Sequence, residues 1–155
     1  MIQRIQTLYL LVIVVLSLFT LFLPSGSLIN STENLSYLIN YKGIFLTQTT
    51  GNVLIQNVWS LTALSSIIPL LAFVTIFLFR KRLLQIRLVI FNMVLMLGYY
   101  VLLGIYFWQA SSKLNADWHP EIVTAFPLIN LILSYLTIRA IGKDEALIKS
   151  LNRLR

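Results

Sequence analysis

An all-α, polytopic membrane protein with four transmembrane helices is the fold class that this chain of 155 residues predicts. Three observations carry that expectation: its apolar content, the length of its apolar runs, and the one-sided placement of its cations. Hydrophobic residues make up 58% and charged residues 11%, with a mean hydropathy of +0.85. That is more apolar surface than a small soluble domain can bury. A bilayer's hydrocarbon core is about 30 Å thick and takes about 20 helical residues to cross. Residues 8–23, 59–79, 83–107 and 122–141 are the runs that approach or reach this length. They are continuously apolar and lack the period-two alternation of barrel strands, which indicates helices. The chain reads as one domain over residues 1–155.

The first span is the shortest and is expected to recruit flanking residues from Ile5 onwards. A cleaved secretory signal is its competing reading, with Met1 to Arg4 as the charged start and Ser25-Gly26-Ser27 as the small residues of a cleavage site. The apolar run is at the long end for such a signal, so a retained span is preferred.

The outer loop covers residues 24–58. Its first part, 24–34, is rich in Ser, Asn and Gly and reads as coil. Its second part carries two β-favouring runs, 43–47 and 53–56, around the turn-like Thr49-Thr50-Gly51-Asn52. A small outer β-hairpin is expected there, lying against the helices or the lipid surface because an isolated hairpin is marginal in water. With no cysteine in the chain, no disulfide holds this loop.

Two prolines, Pro69 and Pro127, are expected to kink their helices. Gly142 marks the end of the fourth span, and residues 142–155 form a cytoplasmic tail. In that tail Leu147, Ile148, Leu151 and Leu154 repeat at helical spacing, flanked by Lys149, Arg153 and Arg155. A separate C-terminal amphipathic helix resting on the inner leaflet is expected.

Charge fixes the direction. Arg4, Arg80, Lys81, Arg82, Arg87, Arg139, Lys143, Lys149, Arg153 and Arg155 fall on one side of the four spans, and only Lys42 and Lys113 on the other. This bias predicts that both termini and the second connection are cytoplasmic. Asp144 and Glu145 reduce the inner face to +8; Glu33, Asp117 and Glu121 bring the outer face to −1. Anionic lipid headgroups therefore account for the net charge of +7, and no nucleic-acid partner is expected. Trp59, Trp108 and Trp118 all fall at the outer ends of spans, where indole rings favour the headgroup level.

The middles of the spans hold no Asp, Glu, Lys or His. Ion coupling and membrane hydrolysis both rely on such groups, so no catalytic residue, cofactor or metal is expected. His119 lies beside Asp117 and Glu121 in the outer connection, which reads as ordinary surface chemistry. Two amides remain. Asn92 and Asn130 lie at similar depth, about 13 to 17 Å from the inner ends of the third and fourth spans. An interhelical hydrogen bond between them is expected as a polar clasp.

Three segments carry a resemblance. They are Met1-Ile2-Gln3-Arg4-Ile5-Gln6-Thr7-Leu8-Tyr9-Leu10; the basic run Arg80-Lys81-Arg82-Leu83-Leu84-Gln85-Ile86-Arg87-Leu88 leading to Asn92; and Ile138-Arg139-Ala140-Ile141-Gly142-Lys143-Asp144-Glu145 with the ending Lys149-Ser150-Leu151-Asn152-Arg153-Leu154-Arg155. Over essentially its whole length the chain resembles the uncharacterised Bacteroidetes family of small four-span inner-membrane proteins known as domain of unknown function 4293. Asn152 stands where that family is associated with Asp. The resemblance implies four helices in a bacterial cytoplasmic membrane and implies no activity.

Together these readings predict a non-enzymatic accessory or scaffold subunit. Its contacts with membrane lipids, and with a protein partner at the cytoplasmic face, would come from Arg80, Lys81, Arg82, Arg87, Lys149, Arg153 and Arg155. The alternative is a small oligomeric transporter or channel for an uncoupled or lipid-like substrate, lined by Asn92 and Asn130.

Overall fold

The computed structural model describes residues 3–30, 35–48, 51–79 and 81–153. Four helices dominate it: α1 (Gln3–Phe22), α2 (Trp59–Phe77), α3 (Arg82–Leu114) and α4 (Phe126–Arg153). Each contains a stretch long and apolar enough to cross a membrane. Around the bundle α1 packs on α2 and α4, and α3 packs on the same two helices.

Each helix buries one seam. On α1 it runs through Gln6, Leu10, Ile13, Ser17 and Thr20; on α2 through Leu61, Ser65, Ile68, Ala72 and Thr75. On α3 Gln85, Val89, Asn92, Met96, Tyr99 and Leu103 follow, and on α4 Asn130, Ser134, Thr137, Ile141 and Asp144. Alternating steps of four and three residues keep such a seam on one side of a helix, as in coiled-coil packing. The opposite faces are apolar and exposed, as at Leu8, Leu11, Phe19, Leu70, Phe73 and Val101. Polar groups thus turn inward and large apolar groups outward, the reverse of a soluble bundle.

At one end of the bundle lies an antiparallel five-stranded sheet: β1 (Gly26–Asn30), β2 (Leu35–Asn40), β3 (Gly43–Gln48), β4 (Gly51–Gln56) and β5 (Asp117–Pro120), in spatial order β4-β3-β2-β1-β5. The first four strands join α1 to α2, and β5 joins α3 to α4. The β3–β4 pair is the expected hairpin, whereas β1, β2 and β5 correct the expectation of coil and of a hairpin alone. Ser25 and Asn30 find partners on α3 that local composition does not reveal. Ser25 Oγ lies 3.2 Å from Tyr99 Oη, and Asn30 Nδ2 donates to the Leu114 carbonyl at 3.0 Å. Cross-strand pairs Leu28–Tyr37 and Ile39–Ile44 supply the buried side of the sheet.

Two glycines fit this end to its neighbours. A Cβ on Gly26 would stand 2.7 Å from Cζ of Phe107. Gly43 has φ +155°, and a Cβ there would stand 2.4 Å from Leu54 Cδ1 and 2.5 Å from the Gln56 carbonyl oxygen.

With 33 residues, α3 is about 50 Å long, well beyond the hydrocarbon thickness. Its last turns carry Phe107 against Gly26 and Trp118 of the sheet, and Ala110 is buried one turn on. Asn115, in the left-handed conformation, ends it. Pro127 sits in the first turn of α4, where its missing N–H breaks no helical bond, so it starts the helix rather than kinking it. The expected break at Gly142 is also corrected. Helix α4 continues through it to Arg153, at a cost of about 1 kcal/mol for glycine, while Ile141 and Asp144 on either side are held in the seam. The tail therefore extends the fourth helix and is not a separate one.

Candidate functional site in the polar seam and at the basic end

Most hydroxyls of the seam bond to their own helix. Ser17 Oγ donates to the Ile13 carbonyl at 2.6 Å, Thr20 Oγ1 to Leu16 at 2.7 Å, Thr75 Oγ1 to Leu71 at 2.6 Å and Thr137 Oγ1 to Leu133 at 2.8 Å. Ser and Thr can enter an apolar bundle this way because the helix backbone accepts their protons. Small side chains on the seam also let the helices approach closely.

Asn130 Nδ2 donates to Ser17 Oγ at 3.1 Å, tying α4 to α1. The Oδ1 atoms of Asn92 and Asn130 are both buried without a hydrogen-bond partner. Since an amide pair needs one of these oxygens as acceptor, the expected Asn92–Asn130 clasp is not formed. Equal depth did not put the two amides in contact; the helix neighbouring Asn130 through its bond is α1. Beside Asn130 is a void of about 10 Å³ walled by Ser17, Thr20, Ser65, Met96 and Tyr99 among others. That is about the least space one water needs.

At the end opposite the sheet the seam becomes ionic. Gln6 Nε2 on α1 donates to Asp144 Oδ2 on α4; the residues are 7% and 6% exposed. Gln85 Nε2 on α3 donates to the Thr75 carbonyl on α2 at 3.3 Å. Arg82 opens α3 half-buried, and its Nη1 is buried with no hydrogen-bond partner. It borders two recesses. One, of about 470 Å³, includes Gln6, Ile76, Phe77, Phe79 and Gln85 in its walls. The other, of about 460 Å³, includes Lys81, Leu84, Arg87 and Glu145.

Of the basic residues singled out from sequence, Lys81 and Arg87 are exposed at the start of α3 and Arg82 is partly sheltered beside them. Lys149 and Arg153 lie within the last turns of α4. Arg80 and Arg155 lie outside the described residues. Sequence reasoning missed Gln6, Gln85 and Asp144 as interior groups. The signal was available in the spacing: Asp144 lies fourteen positions after Asn130, two heptads along the same face.

These features define a helical-bundle protein with four helices suited to crossing a membrane, a small antiparallel sheet at one end and a basic opposite end. The family model described as Domain of unknown function (DUF4293) matches residues 2–154, and the chain belongs to that family. No curated protein and no solved structure matches it.

Proposed function

We propose that this is an integral protein of the bacterial inner membrane that acts as a non-enzymatic accessory or scaffold subunit. Both termini and the α2–α3 connection lie on the cytoplasmic side, and the sheet lies outside. The outward apolar faces and the cation bias support the placement. One observation carries the role: the seam spends most of its hydroxyls on intramolecular bonds and leaves a void for about one water, so the interior is a packed joint. What remains for partners is presented at the two ends, above all by Lys81, Arg82 and Arg87.

Affinity purification from native membranes in a mild detergent tests this. A stoichiometric partner that is retained by the native chain and lost on Arg87→Glu supports the scaffold reading. A homo-oligomer with a polar central path supports a second reading, a small transporter or channel, which the partnerless oxygens of Asn92 and Asn130 favour.

A further inference from the structure

The recess between α1 and the adjoining ends of α2 and α3 has an unusual combination of walls. Ile76, Phe77 and Phe79 supply apolar wall, while Gln6, Thr7, Gln85 and Arg82 supply polar wall. Each carboxamide has committed one N–H, Gln6 to Asp144 and Gln85 to the Thr75 carbonyl. Among the described residues Arg82 is the one charged residue in the wall, and its Nη1 is buried with no hydrogen-bond partner. Arg82 as a whole is only partly buried and lines the recess, and an anionic oxygen is the partner that a guanidinium binds most strongly.

The backbone adds to this. Helix α3 begins at Arg82 with no side-chain cap and no acidic residue in its first turn. Its first N–H groups and the positive end of its dipole therefore lie at the residue that carries this guanidinium. Lys81 and Arg87 border the adjoining recess together with the single carboxylate of Glu145, so its described charged groups are net positive. The volume, about 470 Å³, is in the range of small-molecule sites.

We propose that this recess binds the phosphate of an anionic phospholipid, held by Arg82 and the start of α3, with the glycerol and first acyl carbons against Ile76, Phe77 and Phe79. The proposal rests on the reading that this end of the helices lies in a membrane. It replaces diffuse attraction to a basic surface with one stoichiometric site. Free inorganic phosphate shares the headgroup chemistry but has no use for the apolar wall.

The test uses the full chain in dodecyl maltoside, titrated calorimetrically with dioctanoyl phosphatidylglycerol, dioctanoyl phosphatidylcholine and inorganic phosphate. Saturable binding of one phosphatidylglycerol per chain is expected, about tenfold tighter than phosphatidylcholine. Arg82→Gln should weaken phosphatidylglycerol about tenfold and remove most of its advantage over phosphatidylcholine. Arg82→Lys, which keeps the charge but not the fork of donors, should lose less, and it decides the matter if Arg82→Gln does not fold. Arg139→Gln, on the exposed face of α4, should bind as the native chain does.

Equal losses for Arg82→Gln and Arg139→Gln, or no saturable binding, would overturn the site. Inorganic phosphate binding as tightly as the lipid would overturn the lipid and assign the recess to free phosphate. Alkaline carbonate extraction of the native membranes separates the two levels. Release of the chain overturns the membrane reading itself, whereas retention together with no lipid binding overturns the site alone.

Discussion

Gln6, near the start of α1, and Asp144, near the end of α4, are 138 positions apart and are joined by a hydrogen bond in the interior of the bundle. The bond closes the end of the bundle away from the sheet and makes Asp144 part of the fold. Asp144 Oδ1 remains buried without a partner, so the Gln6 amide is the donor this carboxyl group has among the described residues.

Gln6→Leu removes that donor and should destabilise the bundle by about 1.5 to 3 kcal/mol, the usual range for a hydrogen bond to a charged group. Thermal unfolding in detergent of Gln6→Leu, Asp144→Leu and the double variant measures the coupling. The double variant should lose clearly less than the sum of the single losses; strict additivity would mean that the bond contributes nothing.

Truncation separates the two parts of the last helix. Stopping the chain after Ala146 keeps Asp144 and should leave the melting temperature close to that of the native chain. Stopping after Gly142 removes Asp144 and should lower it at least as much as Gln6→Leu does. Identical melting of the two truncations would show that Asp144 is no brace.

Asn130 should couple to Ser17 and not to Asn92. In a membrane bundle an interhelical bond of this kind contributes about 0.6 to 2 kcal/mol. Double-mutant cycles pairing Asn130→Leu with Ser17→Ala and with Asn92→Leu read the difference directly. A larger coupling in the second cycle would restore the amide clasp.

Gly26→Ala drives a methyl group toward the Phe107 ring, since the new Cβ would lie 2.7 Å from Cζ. Overpacking of this kind costs about 1 to 3 kcal/mol. Combining it with Phe107→Leu should recover part of the loss, measured as protection of the sheet from proteolysis. No recovery would mean that the strain falls elsewhere, for instance on the His119 carbonyl, 3.2 Å from the same Cβ.

The helices are legible in the sequence because apolar length is a local property, and Trp59, where the second apolar run begins, is the first residue of α2. The sheet was legible only where two β-favouring runs flank a turn, in β3 and β4. Strand β5 reads Asp117-Trp118-His119-Pro120, without alternation, and exists because β1 offers it an edge, with Ser27 opposite His119. The amide pair misled because equal depth on two inward seams does not decide which neighbouring helix a side chain meets, and Asn130 meets Ser17 of α1. The same heptad spacing that exposes Asp144 as an interior group also puts Asn130, Ser134 and Thr137 on the bundle seam.

Placement across a membrane is the claim on which the rest depends, and the absence of cysteine from the chain gives a clean way to test it. Ser36→Cys on β2 and Ala146→Cys on α4 are both at exposed positions, one in the sheet and one past the seam's Asp144. Intact spheroplasts expressing each variant are treated with a membrane-impermeant maleimide. Labelling of Ser36→Cys at once, and of Ala146→Cys only after permeabilisation, is the expected result; the reverse pattern, or equal labelling of both in intact spheroplasts, would contradict it.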